Sequence, residues 1–134
     1  MSDLNNWNQK IIEEFRTSGG RVGNRQLLLL HTVGAKSQQT RVNPVAYIKD
    51  GERFVVVAAK GGMATNPDWY HNLLAHPQVT VEVGTEKFQV LATIPEEPER
   101  TRLYDQMAAV TKGYAEYQRK TARIIPVILL TRIE

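Results

Sequence analysis

The chain has 134 residues, 42% of them hydrophobic, which suits one domain over 1–134 with one continuous core. Seventeen Lys and Arg against fourteen Asp and Glu give +3, fitting neither a polybasic nucleic-acid binder nor an acidic disordered tail. The absence of cysteine removes disulfide scaffolds, thiolate metal sites, iron–sulfur clusters and thiol nucleophiles. No basic stretch followed by an apolar run opens the chain, and Leu27–Leu30, Phe54–Ala59 and Ile124–Leu130 are too short to span a bilayer. The expected location is the cytoplasm, with peripheral membrane contact left open.

Leu4, Trp7, Ile11, Ile12 and Phe15 recur on one helical face, which predicts an amphipathic helix over about 3–18 with Ser2 or Asp3 as N-cap and Gly19-Gly20 as the stop. Gln26–Thr32 reads as a buried strand and Gly34–Thr40 as a polar loop. Val42–Lys49 and Arg53–Ala59 flank Asp50-Gly51, a strong hairpin signal. After the break at Lys60–Asn66, Asn66 as N-cap and Pro67 at the first helical position predict a helix over Pro67–Ala75, ended by His76-Pro77. Gln78–Val83 and Lys87–Ile94 form a second hairpin across Gly84-Thr85. Helices are expected over Glu96–Val110 and from Gly113 to about Ala122, then a strand over Ile124–Thr131, which Pro126 assigns to an edge or a bulge. The sum is an α+β, mainly antiparallel fold: a small six-stranded barrel with helices packed outside.

Hydrolase and nucleotide templates fail. The three serines stand in no Gly-x-Ser-x-Gly elbow, and neither a Gly-x-Gly-x-x-Gly nor a Walker loop occurs. His71 and His76 are five apart, off the four-residue spacing that puts two zinc ligands on one helical face, so no metal is expected. Two segments remain. Between Arg21 and Lys60 there are seven basic residues against two acidic ones, and within that stretch Thr32, Gly34, Lys36, Ser37, Thr40 and Arg41 offer hydroxyls, amides and two cations, either a cradle for phosphate or carboxylate or a solvated turn. In Lys60–Tyr70 a Gly-Gly pair and a helix start allow close approach of a flat ligand, or simply open a helix with Trp69 in the core.

Together these segments carry a resemblance. Leu27-Leu28-Leu29-Leu30-His31-Thr32-Val33-Gly34-Ala35-Lys36-Ser37, Thr40-Arg41-Val42-Asn43-Pro44-Val45, Asp50-Gly51, Val57-Ala58-Ala59-Lys60-Gly61-Gly62, Asn66-Pro67-Asp68-Trp69-Tyr70-His71-Asn72-Leu73 and Pro77-Gln78-Val79 together resemble the deazaflavin-dependent nitroreductase family, over about residues 7–131. The resemblance implies a split β-barrel of the FMN-binding, flavin-reductase type and reduction of quinones, nitroaromatics or activated enones by reduced coenzyme F420. It implies that Lys36, Ser37, Thr40, Arg41 and Lys60 meet the cofactor's phosphate and polyglutamate tail. The deazaflavin ring would lie along Pro44, Val45 and the Lys60, Gly61, Gly62, Met63, Ala64 backbone, near Asn66, Pro67 and Trp69. Tyr114 and Tyr117, with Tyr47 as a third, would line the substrate pocket, Tyr114 or Tyr117 donating a proton. Many relatives have a further cation and a glycine in the first loop, where this chain has Ala35 and Gln38. The alternatives are an FMN-dependent barrel and a non-catalytic carrier of cofactor, tetrapyrrole or fatty acid. The expected partner is a small-molecule electron acceptor and no nucleic acid, with the protein a monomer or homodimer.

Overall fold

The computed structural model describes residues 3–23, 25–111 and 113–133, with side chains from Asn8 onward. The chain opens with α1 (Asp3–Thr17). Asp3 is already helical rather than a cap, and Ser2 lies outside the described residues. Ile11, Ile12 and Phe15 form its buried face, and the helix stops before Gly19 and Gly20, both at positive φ. Two residues of strand, β1 (Arg21–Val22), precede β2 (Arg25–Val33). The leucine run of β2 does not alternate because both faces are covered. Leu28 and Leu30 enter the barrel interior, while Leu27 and Leu29 pack under Ile11, Ile12 and Phe15 of α1. Each such side chain, fully buried, contributes roughly 1.5–3 kcal/mol.

The expected strand over Val42–Lys49 is in fact two, β3 (Thr40–Ala46) and β4 (Ile48–Asp50), broken at Tyr47. β3 pairs antiparallel with β2, from Leu27 opposite Ala46 to Val33 opposite Thr40. Only β4 forms the Asp50-Gly51 hairpin with β5 (Arg53–Val57), Ile48 facing Val55. At the crossing, the Tyr47 N–H donates to the Gln26 carbonyl at 3.2 Å, and the Gln26 carboxamide donates back to the Tyr47 carbonyl at 3.1 Å. A 3-10 turn at Lys60–Gly62 leads to α2 (Asp68–Ala75). Pro67, not Asn66, is the N-cap, with no side-chain cap bond, because the Asn66 carboxamide is engaged elsewhere. β6 (Gln78–Val83) and β7 (Glu86–Thr93) form the second hairpin, followed by α3 (Glu99–Val110), α4 (Tyr114–Lys120) and β8 (Val127–Arg132).

The main strand order is β1-β2-β6-β7-β8-β5-β4, with β3 on β2, so eight described strands stand where six were expected. β8 is central, between β7 and β5, which corrects the expectation of an edge or bulge. Pro126 precedes it and uses its carbonyl, which accepts from Ala58 N–H at 3.0 Å. β5 repeats the logic of β2: Phe54 and Val56 face the interior, Val55 and Val57 face α3 and α4. β3 and β5 are not paired with each other, so the curled sheet has a seam there.

Candidate active site

A cleft of ≈ 360 Å³ opens along that seam. Leu27, Pro44, Val45 and Ala46 form one side, and Val57, Ala59 and Lys60 the other. Pro67 and Trp69 close one end, Thr111, Tyr114 and Tyr117 cover it, and Arg25 stands at the rim. The volume is that of a small-molecule site, roughly 300–1,000 Å³. The seam brings together Pro44, Val45, Lys60, Pro67, Trp69, Tyr114 and Tyr117, all expected from sequence.

The loop over 34–41 lies at the far end of β3. It closes on itself through Gly34 N–H to the Gln39 carbonyl at 2.8 Å and Gln38 N–H to the Gly34 carbonyl at 3.0 Å. Asn72 of α2 pins it: the carboxamide oxygen accepts from Ala35 N–H at 2.9 Å, and the amide donates to the Thr32 hydroxyl at 3.1 Å. Thr32 is thus buried and engaged within the protein rather than facing a ligand. Gly34 is also buried, since a Cβ there would lie 2.3 Å from the Ser37 hydroxyl. Lys36, Ser37, Thr40 and Arg41 are exposed. Gln38 sits at φ 60, in the left-handed region. Strand alternation puts Arg41, Asn43 and Val45 on one face of β3, and Val45 packs against the cluster that contains Trp69. That face is a track from cleft to loop.

Segment 58–66 is built differently. Arg123, which the sequence reading missed, donates to the Ala58, Ala59 and Met63 carbonyls at 3.3, 2.8 and 2.9 Å and to the Asn66 carboxamide oxygen at 2.7 Å. Nothing in its neighbourhood along the chain signals this, because its acceptors lie some sixty residues earlier. The side of Gly62 on which a Cβ would stand faces α4: φ is 81°, and that Cβ would lie 2.8 Å from the Tyr117 carbonyl oxygen. Lys60, at φ 49, donates to the Thr65 hydroxyl at 3.2 Å. Gly61 lies in the same 3-10 turn, and the Met63 and Ala64 side chains are exposed.

The Tyr114 and Tyr117 rings sit 5.2 Å apart, and among the described residues neither hydroxyl has a protein partner. Burial, reinforced by the neighbouring Tyr117 and Tyr104 phenols, pushes Tyr114 up to about 12. Its hydroxyl therefore stays protonated across the neutral range. Tyr104 anchors the pair by donating to the Tyr114 carbonyl. Tyr47 is not brought into this cleft. Its ring packs edge-on against Phe54 at 5.5 Å, and it lines an adjoining groove of ≈ 450 Å³ with Ile48 and Val110. A wider cavity of ≈ 800 Å³ opens at the other end of β5, where Lys49 and Arg132 stand beside Glu52 and Glu86. Apart from Tyr47 it holds no residue expected at the site, and its mixed charges select no sign of ligand. Among the described residues no group of three or more His, Asp or Glu side chains could hold a metal ion.

The family described as F420H(2)-dependent quinone reductase matches residues 7–132. An F420H(2)-dependent quinone reductase of Mycobacterium tuberculosis is 41% identical over 126 residues, 88% of this chain and 85% of that protein. A solved structure described as a domain-swapped dimer superposes with a TM-score of 0.74 at 34% identity, covering 95% of this chain and 96% of that one. An F420H2-dependent reductase superposes with a TM-score of 0.71 at 35% identity, covering 78% and 92%. A heme storage protein of Vibrio cholerae, at 18% identity and a TM-score of 0.62, shares the fold alone.

Proposed function

The chain belongs to the F420H(2)-dependent quinone reductase family, and from that premise we propose how its own residues serve the reaction. It is a split-barrel oxidoreductase of the flavin-reductase type with coenzyme F420 as its cofactor, and neither an FMN-dependent barrel nor a non-catalytic carrier is favoured. The observation that carries the residue assignment is the cleft: the apolar floor of Pro44, Val45, Ala46 and Val57, closed by Pro67 and Trp69, suits a flat ring, and the β3 face leads from it to Arg41. Lys36, Ser37, Thr40 and Arg41 hold the anionic tail through charge-assisted hydrogen bonds, with Lys60 at the cleft adding a third cation.

When bound and reduced, F420 supplies a hydride to an electron-poor carbon of the acceptor: a quinone, a nitroaromatic or an activated enone. The protein orients the two rings, excludes water with Trp69, Tyr114 and Tyr117, and offers a protonated phenol to the acceptor oxygen. Because burial makes Tyr114 a weaker acid than an ordinary phenol, its hydroxyl acts chiefly as a hydrogen-bond donor that holds its proton at Oη.

Titration with oxidised F420 and with FMN, read by quenching of Trp69, tests the assignment. Tighter binding of F420 is expected, and tighter binding of FMN overturns it. Among the described residues no helix is long and apolar enough to cross a membrane, and a chain without cysteine is fit for a reducing cytoplasm without requiring one. The domain-swapped neighbour supports a homodimer over a monomer.

A further inference from the structure

Arg123 lies in the connection between α4 and β8, and among the described residues every acceptor its side chain reaches belongs to segment 58–66. That segment forms one wall of the cleft through Ala59 and Lys60. The Arg123 carbonyl in turn accepts from the Gln118 amide at 2.8 Å, and the Gln118 carboxamide oxygen accepts from Ile125 N–H at 3.1 Å and from Arg100 at 2.7 Å. Gln118 sits on α4, one turn beyond Tyr114 and next to Tyr117, so the tyrosine cover of the cleft is tied to the same network. Gly62 against the Tyr117 backbone leaves no slack between segment 58–66 and α4.

The chemistry of the clasp is not what tethering alone requires. Three of the four acceptors are backbone carbonyls, which a neutral donor could satisfy. A guanidinium is used, and among the described residues no carboxylate pairs with it. A half-buried cation without a protein counter-charge leaves its field to whatever lies across Ala59. We infer that Arg123 is a positioning residue for the reductase: it sets segment 58–66 at a fixed spacing from the α4 tyrosines and leaves its positive charge to the anionic cofactor. This rests on the reading of the cleft as the F420 site.

The test compares Arg123→Lys, which keeps the charge and loses the planar fork, with Arg123→Gln, which loses both. Three measurements are made on the full chain: F420 affinity by tryptophan quenching, KM and kcat with menadione, and, without cofactor, the rate of trypsin cleavage after Lys60 followed by mass. With circular dichroism unchanged, Arg123→Lys should bind F420 about tenfold more weakly, the scale of one charge-assisted hydrogen bond, and Arg123→Gln more weakly again. KM for menadione should rise more than kcat falls, and cleavage after Lys60 should quicken in both. Affinity within about twofold of the parent in both variants, with unchanged cleavage, overturns the proposal, since the interactions removed are each worth about tenfold. Equal losses in the two variants overturn the part assigned to charge. If either variant fails to fold, Gln118→Leu cuts the clasp from the α4 side and must quicken the same cleavage and raise KM, or the proposal fails. A parent that binds no F420 instead overturns the functional reading, while the cleavage measurement still judges the clasp.

Discussion

The loop over 34–41 and segment 58–66 occupy like places in the sequence, each a glycine-containing stretch with a lysine after a largely buried strand. The first is held by its own backbone and by the buried Asn72, and its cations Lys36 and Arg41 are left exposed. The second is held from behind by a cation, Arg123, and presents mainly backbone and one lysine to the cleft. An exposed cation on a closed loop can follow a flexible anionic tail, whereas a segment clasped at four acceptors can only shape a rigid ring. What separates the two is where the fixed positive charge stands: on the exposed face of the first and behind the second.

That contrast can be broken at several points. The largest effect is expected from Asn72→Leu, which strands the Ala35 N–H and the buried Thr32 hydroxyl. At about 1–3 kcal/mol for each unsatisfied group, stability by urea denaturation should fall by about 3 kcal/mol, and F420 affinity with it. Gly62→Ala comes next. Its Cβ would meet the Tyr117 carbonyl oxygen at 2.8 Å with φ at 81°, so a loss of about 2 kcal/mol is expected, with KM raised because α4 is pushed outward. A loss below about 0.5 kcal/mol would show that the second segment is not held tightly.

Lys36→Ala and Arg41→Ala should leave the melting temperature unchanged and weaken F420 binding about tenfold each, an effect that shrinks in high salt. Unchanged affinity in both would place the tail elsewhere. Tyr114→Phe and Tyr117→Phe should lower turnover with menadione about tenfold at constant F420 affinity, the scale of one hydrogen bond strengthened in the transition state. Because Tyr114 is raised to about 12, the turnover profile should show no Tyr114 ionisation between neutral pH and about pH 10. A break there would place the phenol in a more polar setting than the cleft provides.

The smallest effect lies outside both regions, where Glu82 takes Arg16 of α1 at 2.7 Å and His31 of β2 at 2.7 Å. The Arg16 hydrogen bond, followed by that of His31, against an opposing cost of burial, holds the Glu82 carboxyl at about 2, below its usual 4.5. A group depressed on folding stabilises the protein above its unfolded value. That contribution is whole above pH 4.5 and lost as the pH falls towards about 2. Since the Arg16 side chain is half exposed, about 1 kcal/mol is expected, and Glu82→Gln should remove that part of the acid sensitivity without changing F420 affinity at neutral pH.

Much of the fold was legible because its signals are local. Asp50-Gly51 and Gly84-Thr85 marked both hairpins, and the leucine and valine runs marked strands covered on two faces. The break at Tyr47 was not legible, since nothing in Val42–Lys49 says that its first half pairs with β2 and its second with β5. Pro126 misled for a related reason: it lies just outside β8, where its missing N–H costs no ladder bond, so a proline near a run says little about the strand's place in the sheet. The residues that line the cleft, Pro44, Val45, Lys60, Pro67, Trp69, Tyr114 and Tyr117, were reached through motif resemblance. The residues that hold those in place, Asn72, Gln118 and Arg123, were not, because their partners are set by tertiary contacts and their side chains are of ordinary type.

One short helix measures the distance between the two regions. α2 begins against the cleft, with Trp69 in its first turn, and three residues later Asn72 grips the loop that carries the exposed cations. Three residues of helix advance about 4.5 Å and turn about 300°, so the cleft and the loop over 34–41 are held at a set offset and angle by the geometry of one turn. A residue added or removed between Trp69 and Asn72 would swing the carboxamide about 100° away from Ala35 while leaving the barrel whole. The loop over 34–41 can vary its exposed side chains, but the spacing between its anchor and the cleft is set by a single turn of α2.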